Sequence, residues 1–498
     1  MKRSMKASQR LTLVGAALAA AAVFGGPAYA TNGMNLEGYG ARAHAMGGAA
    51  AAYDVGNSAL MNNPATLSYM PGKARLGAGF RMLGPNVDLD YNGVKNESGG
   101  DAYYMPSMSY IRKYNNLTYG LGVFAQGGMG TEYGASSSLF QSGTSMFGVA
   151  GRALSGQEIR SELSVGRAMA PIVYQVNPNL SIGATLDLVW MGLDLQMDVD
   201  GSTFAKMMAG NGGTVAMSSN LATTIGGLTA GSYAAFGATD INYGRFDFTD
   251  GSDFTGEADG VGAGFKVGMS YKVNPKLTIG AAYHSKTAMQ DLETTKASVS
   301  FAAVPATMGG AVVPMTLSGK MEVQDFEWPQ KLVVGAAYQA TDKLLLVGDL
   351  SVTDWSNTMK NFKMKFTADD STSNNYSTSM GIATADFRGE TMEVSMTQEW
   401  DDQTVLHLGA EYKINDAWSV RGGASFSDNP IPDTYVNALF PATIQHHYTA
   451  GVGYKFNDLH NISFAAAYAP KSKATQPSGM EISHSQFNWS LSYSYLFK

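Results

Sequence analysis

Hydrophobic and polar residues alternate with a period of two along much of this chain. In Phe487 to Lys498 the odd positions are Phe487, Trp489, Leu491, Tyr493, Tyr495 and Phe497, while the even ones begin Asn488, Ser490, Ser492 and Ser494. Side chains of a strand point to alternate sides, so this segment has one apolar face and one polar face. Val261 to Val273 repeats the pattern, with Gly262, Gly264, Lys266, Gly268, Ser270 and Lys272 on its polar face. It recurs at Leu180–Leu188, Leu277–Lys286, Leu332–Gln339, Thr404–Ile414, Trp418–Ser427 and Tyr448–Phe456. In a soluble sandwich the apolar face would fill a core. Here the opposite face is rich in Gly and Ser with scattered charges, which suits a wet or partly filled lumen inside a barrel whose apolar face meets lipid.

The connections point the same way. Six are short: Tyr114–Asn116, Asn177–Asn179, Asn274–Lys276, Thr341–Lys343, Asn415–Ala417 and Asn457–Asn461. Asn and Asp satisfy nearby backbone groups and Pro restricts φ, so each reads as a tight hairpin. Between them lie long excursions at 133–159, 199–259, 294–327 and 357–401, and shorter ones near 92–102, 431–443 and 471–484. Short turns on one side and long loops on the other mark a bacterial outer-membrane barrel. Six turns and seven outer connections predict an all-β, transmembrane antiparallel barrel of fourteen strands. Tyr271, Tyr283, Tyr338, Tyr412, Tyr454, Phe456 and Phe497 near strand ends would form the interfacial girdle.

The wall begins near Lys73. Residues 31–72 lack the alternation and are rich in small residues, seven alanines and two glycines between Ala41 and Ala52. They read as a plug folded into the lumen, and 73–498 as the barrel. Residues 1–30 read as a secretory signal: Lys2, Arg3, Lys6 and Arg10, then apolar Leu11 to Phe24, then Ala28-Tyr29-Ala30. Leu11 to Phe24 falls short of the about 20 apolar residues a spanning helix needs.

Composition narrows the function. Charged residues are 15% of the 498, against roughly 25% in soluble proteins, and the 58 glycines exceed the usual share of about 7%. With no cysteine, thiolate metal sites, iron–sulfur clusters and thiol catalysis are excluded. A net charge of −7 argues against nucleic acid. No nucleophile, base and orienting group assemble in the sequence, and no Walker, Rossmann or zincin pattern occurs, so neither an enzyme nor a cofactor is expected. His446 and His447 are adjacent and point to opposite faces of a strand, so they cannot chelate one metal.

Four stretches carry a family resemblance. Gly40–Ala43, Ala51–Asp54, Gly56–Ser58 and Asn63-Pro64-Ala65 make up the first; Gly127–Gly130 with Thr131-Glu132-Tyr133 is the second. Asp349 through Asp354-Trp355-Ser356 is the third, and Arg421-Gly422-Gly423 with Phe426–Pro432 the fourth. In this order they resemble the FadL family of outer-membrane transporters for long-chain fatty acids and other hydrophobic compounds. The resemblance implies a monomeric fourteen-stranded barrel in lipid and lipopolysaccharide. It also implies an N-terminal hatch carrying Asn63, Pro64 and Ala65, and a kinked third strand with a lateral opening at Gly127, Gly128 and Gly130. The family's fatty-acid transporter uses a basic residue late in its fifth strand to hold the substrate carboxylate; Leu193–Met197 here has none. A second basic residue, after the ninth-strand Trp, corresponds to Lys360 or Lys363, and Arg421 is a further candidate for a carboxylate contact.

Hydrophobic uptake requires an outer apolar platform, a lumen pocket and a side exit. The 199–259 excursion supplies Phe204, Met207, Met208, Met217 and Leu221, and 294–327 supplies Met308 and Met315. Methionine surfaces adapt to ligands of varied shape, so these residues are the expected capture site. Asp187, Lys266, His284, Lys286, Asp349, His407, Glu411, Lys413 and Arg421 are expected to face the lumen, paired with one another or with the hatch. The sequence reading is therefore passive uptake of long-chain fatty acids. Uncharged aromatic or aliphatic hydrocarbons are the alternative substrates, and a general porin for polar solutes or an adhesive barrel are rival readings.

Overall fold

The computed structural model describes residues 33–141, 154–210, 212–229, 239–252, 255–304, 313–377 and 385–498. The expected signal at 1–30 lies outside them. No helix among the described residues is long and apolar enough to cross a membrane. The wall is all antiparallel β, as the alternation predicts.

Its strands are β1 (Ala74–Leu83), β2 (Val94–Glu97), β3 (Tyr103–Tyr114), β4 (Leu117–Tyr133), β5 (Ile159–Gln175), β6 (Leu180–Asp200), β7 (Gly213–Met217) and β8 (Ala258–Lys272). They continue with β9 (Leu277–His284), β10 (Lys331–Gln339), β11 (Leu344–Thr353), β12 (Gln403–Lys413), β13 (Trp418–Ser427), β14 (His446–Lys455), β15 (His460–Thr475) and β16 (Glu481–Phe497). β1 pairs with both β3 and β16, from Ala74↔Phe497 to Met82↔Trp489, and this closes the sheet on itself. Closure removes the two free edge strands that an open sheet would present to lipid.

Among the described residues the barrel counts sixteen strands rather than the fourteen expected, although the ladder that closes on itself runs through fourteen of them, β1, β3–β6 and β8–β16. The two short strands β2 and β7 account for the difference: β2 pairs with Pro85–Tyr91, the continuation of β1, and β7 pairs with Thr391–Thr397. Four-residue and five-residue strands inside long excursions leave too short an alternation to read from sequence.

A second correction concerns the excursions themselves. The stretches 199–259, 294–327 and 357–401 are not simple loops. They contain Thr239–Phe248, Leu292–Val304, Val313–Gln324, Asn361–Ala368 and Thr391–Thr397, which carry the sheet upward beyond the lower wall. β6 shows why they were hidden. In its first half Ile182, Leu186, Leu188 and Trp190 are exposed outward, while Ser181, Thr185 and Asp187 are buried inward. Beyond Trp190 the inward face becomes Met191, Leu193, Leu195, Met197 and Val199, all buried, and the other face turns polar. The period persists but the apolar face changes sides. Asn361–Ala368 and Thr391–Thr397 follow the upper rule, with Phe362, Met364, Phe366, Met392, Val394 and Met396 inside. Outward Lys365 and Glu393 face each other across those two strands. The lower wall is apolar outside; the upper wall encloses an apolar core.

At the short-turn end, Trp418 packs on Tyr454 with ring centroids 4.4 Å apart, and Tyr454 on Phe456 at 4.7 Å. Aromatic rings there suit the boundary between hydrocarbon and water.

Candidate functional site

Residues 33–72 form three short helical turns, Ala41–His44, Gly56–Leu60 and Pro64–Tyr69, and are almost entirely buried against inward wall residues. Asn63 is the junction. Its Oδ1 accepts from the Ala65 N–H at 3.1 Å, capping the turn that Pro64 opens. Its Nδ2 donates to Ala51 O at 2.6 Å and to Met269 O on β8 at 2.9 Å. Across the lumen, Asp349 Oδ2 on β11 accepts from the Ala50 and Ala51 N–H groups at 2.6 and 2.8 Å. On a third side Glu411 on β12 receives Arg42 through Nε and Nη2, at 2.9 and 2.6 Å.

The Gly-rich lumen face has a packing reason. A Cβ at Gly268 would meet the Asn63 amide, and one at Gly280 would overlap the Ala51 carbonyl. The small residues fit a protein segment rather than an open water column.

The expected lumen charges mostly pair. Asp187 takes Arg167 at 3.0 Å and also Lys266. His284 contacts Asn62 O at 2.7 Å, and His407 contacts Gly47 O at 2.7 Å. Arg421 donates to Glu411 at 2.6 Å. Lys286 and Lys413 are surface residues instead, Lys286 held by Glu327. They stand at strand ends, where alternation no longer decides orientation.

A cavity of about 300 Å3 lies where the wall is interrupted. The β3–β4 ladder runs from Tyr114↔Leu117 to Ser107↔Phe124 and stops. Tyr103 stays paired with β1, and the rest of β4 stays paired with β5 up to Tyr133↔Ile159. The chain just before β3 touches β4 again where Gly99 N–H donates to Glu132 O at 2.7 Å. Between these points the side of the barrel has no ladder. One extra residue, Gln126, shifts the β4–β5 register between Ala125 and Gly127, which is a β-bulge. A Cβ at Gly127 would overlap Met34 O, and one at Gly128 would overlap Leu163 O. Asn35 forms an isolated β-bridge to Gly127, so the N-terminal segment covers the interruption from within.

Gly127, Gly128 and Gly130, singled out in the sequence, all line this cavity. The other expected contacts do not. Phe204, Met207, Leu221 and Met315 are buried in the core of the upper wall, with Met208 and Met217 packed against it; Met308 lies outside the described residues. They cap the barrel rather than forming an exposed platform, because the excursions that carry them run back into the sheet. Lys360 is exposed, Lys363 pairs with Asp325 at 2.8 Å, and Arg421 is committed to Glu411. None of the residues lining the cavity is a lysine or arginine.

Sequence reasoning missed Met34, Leu36, Leu163, Trp190, His484 and Gln486, which also line it. For His484 and Gln486 a signal existed. The alternation that sends Phe487 and Trp489 outward sends their even-numbered neighbours inward.

A closed outer-membrane barrel with a buried N-terminal segment and a side cavity defines a channel class. The family of outer membrane protein transport proteins (OMPP1/FadL/TodX) matches residues 14–492, and the chain belongs to it. It is an outer-membrane transporter of the hydrophobic-compound family. The Pseudomonas putida toluene transporter TodX is 28% identical, with a TM-score of 0.74 over 93% of this chain and 99% of that one. The Ralstonia pickettii toluene transporter TbuX is 28% identical, with a TM-score of 0.70 over 93% and 100%. A Pseudomonas aeruginosa FadL homologue shares the fold at 15% identity, with a TM-score of 0.63 over 94% and 100%. Among curated proteins, an uncharacterized Chlorobium limicola protein from the phosphoenolpyruvate carboxykinase gene 5' region is 60% identical over 73 residues. These cover 14% of this chain and 36% of that relative's length.

Proposed function

We propose that this protein admits small uncharged hydrocarbons, monoaromatic ones among them, and releases them sideways into the outer membrane. The observation that carries the reading is an apolar cavity set behind a missing stretch of ladder and lined by no cation. A cavity of roughly 150 Å3 already accepts benzene, so about 300 Å3 suffices for an alkylbenzene. Likeness to two toluene transporters at 28% identity supports the same substrate class.

In this reading residues 33–72 are the hatch, with Asn63, Pro64 and Ala65 holding its last turn on the wall. Gly127, Gly128 and Gly130 shape the lateral opening, and a monomer works alone in lipid and lipopolysaccharide. The capped excursions with Phe204, Met207 and Leu221 keep water from the upper lumen. Solute partitions from that dry interior to the bilayer down its gradient, with no charge to desolvate. Long-chain fatty acids fit less well, because a buried carboxylate needs a cation or several donors.

The test is uptake of labelled toluene and labelled oleate by cells with and without the gene. Toluene uptake should require the gene and return with the wild-type copy. If only oleate uptake depends on it, the hydrocarbon assignment is wrong.

A further inference from the structure

The apolar cavity contains two polar groups that nothing in the described chain satisfies. His484 and Gln486 stand on the inward face of β16, both line the cavity, and they are only 2% and 4% exposed. His484 Nδ1 lies 2.8 Å from the Pro441 carbonyl oxygen. A carbonyl can only accept, so Nδ1 carries the proton, and the neutral ring presents Nε2 as an acceptor. That Nε2 and the Gln486 Oε1 have no hydrogen-bond partner among the described residues.

Buried polar groups are nearly always bonded, so this pair is available to a ligand. Three other polar side chains around the cavity are already occupied. Asn35 Oδ1 accepts from Trp328 Nε1 at 3.0 Å, Glu37 holds Arg81 and His44, and Glu162 holds Arg160 at 2.7 Å.

Two same-face residues of a strand stand about 7 Å apart, so one ligand oxygen between them can reach both. A hydroxyl suits the pair. It donates to Nε2, and it accepts from the Gln486 amide, whose two ends exchange by rotation. A carboxylate brings no proton to Nε2, and a plain hydrocarbon leaves both groups unmet. We infer that the cavity selects hydrocarbons bearing a hydroxyl, phenols or alkanols, over the parent hydrocarbon. His484 and Gln486 are the residues that determine this specificity. The inference rests on the uptake reading above and narrows its substrate class.

The experiment is equilibrium dialysis of the detergent-extracted full-length protein with 4-propylphenol and with propylbenzene, a pair differing by one hydroxyl. Wild type should bind the phenol about tenfold more tightly, the effect of one or two net hydrogen bonds. His484→Phe and Gln486→Leu should each lower the ratio of phenol to propylbenzene affinity toward one. The ligand comparison in wild type needs no variant to fold. Equal affinity for both ligands overturns the inference and leaves hydrocarbon uptake standing. A preference that survives both substitutions overturns the assignment to these residues. Failure of both ligands to bind wild type overturns the uptake reading, and this inference with it.

Discussion

Glu411→Gln should loosen the N-terminal segment without opening the barrel. Glu411 is 3% exposed and is the shared acceptor for two guanidiniums, Arg42 of the segment and Arg421 of the wall. The amide keeps the shape but removes the charge, so the two arginines face each other with no carboxylate between them. Removing one member of a buried ion group costs about 3–5 kcal/mol. Arg42 is 28% exposed and partly screened, which reduces the figure to about 2 kcal/mol. Arg421 sits in a strand paired on both sides and cannot leave. Arg42 sits on a four-residue helical turn and can. The strain should therefore be relieved by displacing the segment, raising its displaced population about 30-fold. Hydrogen–deuterium exchange of detergent-extracted protein would read this as about 30-fold faster exchange over 41–72, with β12 and β13 unchanged. Arg42→Met in the same chain removes the repulsion and should restore part of the protection. Wild-type exchange in the Glu411→Gln variant, or earlier loss in the wall strands, would refute this account of the segment's attachment.

Two further outcomes follow from the same geometry. Gly127→Leu places a Cβ against Met34 O and 3.3 Å from the Trp328 ring, and extends into the cavity. Toluene uptake should fall at least tenfold for a stability cost of about 1–3 kcal/mol; a folded variant with wild-type uptake would remove the side exit from the mechanism. The segment should also be acid-sensitive. Burial alone would raise the Asp54 carboxyl, but Arg75, bound through Nη1 and Nη2 at 3.0 Å each, holds it below the usual range. A depressed folded value stabilises fully above the ordinary carboxylate pKa of about 4, and the contribution is lost as pH falls through the lower folded value. Exchange over the Gly56–Leu60 turn beside Asp54, corrected for intrinsic rate, should quicken as pH falls below about 4. Unchanged exchange of that turn between about pH 5 and 3 would refute this contribution.

Much of the candidate site was legible, though unevenly. Gly127, Gly128 and Gly130 stood out because glycine inside a strand weakens pairing, and they line the cavity where the ladder fails. The lumen parity of β16 was equally visible, yet His484 and Gln486 drew no notice because nothing local says which polar inward residues lack partners. The capture residues failed for a related reason. Phe204, Met207 and Leu221 are apolar in an excursion, and an apolar side chain is the same in sequence whether it covers a core or meets a ligand.

The sequence by itself determined the period of two, the tight Asn-rich turns and the small inward residues. Those are local properties, set by how a strand directs its side chains and by which residues turn a chain. Only the tertiary structure decided which face is inside at each height. Within β6 the apolar side passes from outward Trp190 to inward Met191, because the lower wall meets apolar surroundings and the upper wall must cover its own interior. Alternation gives two faces and no direction. What surrounds the closed sheet supplies it.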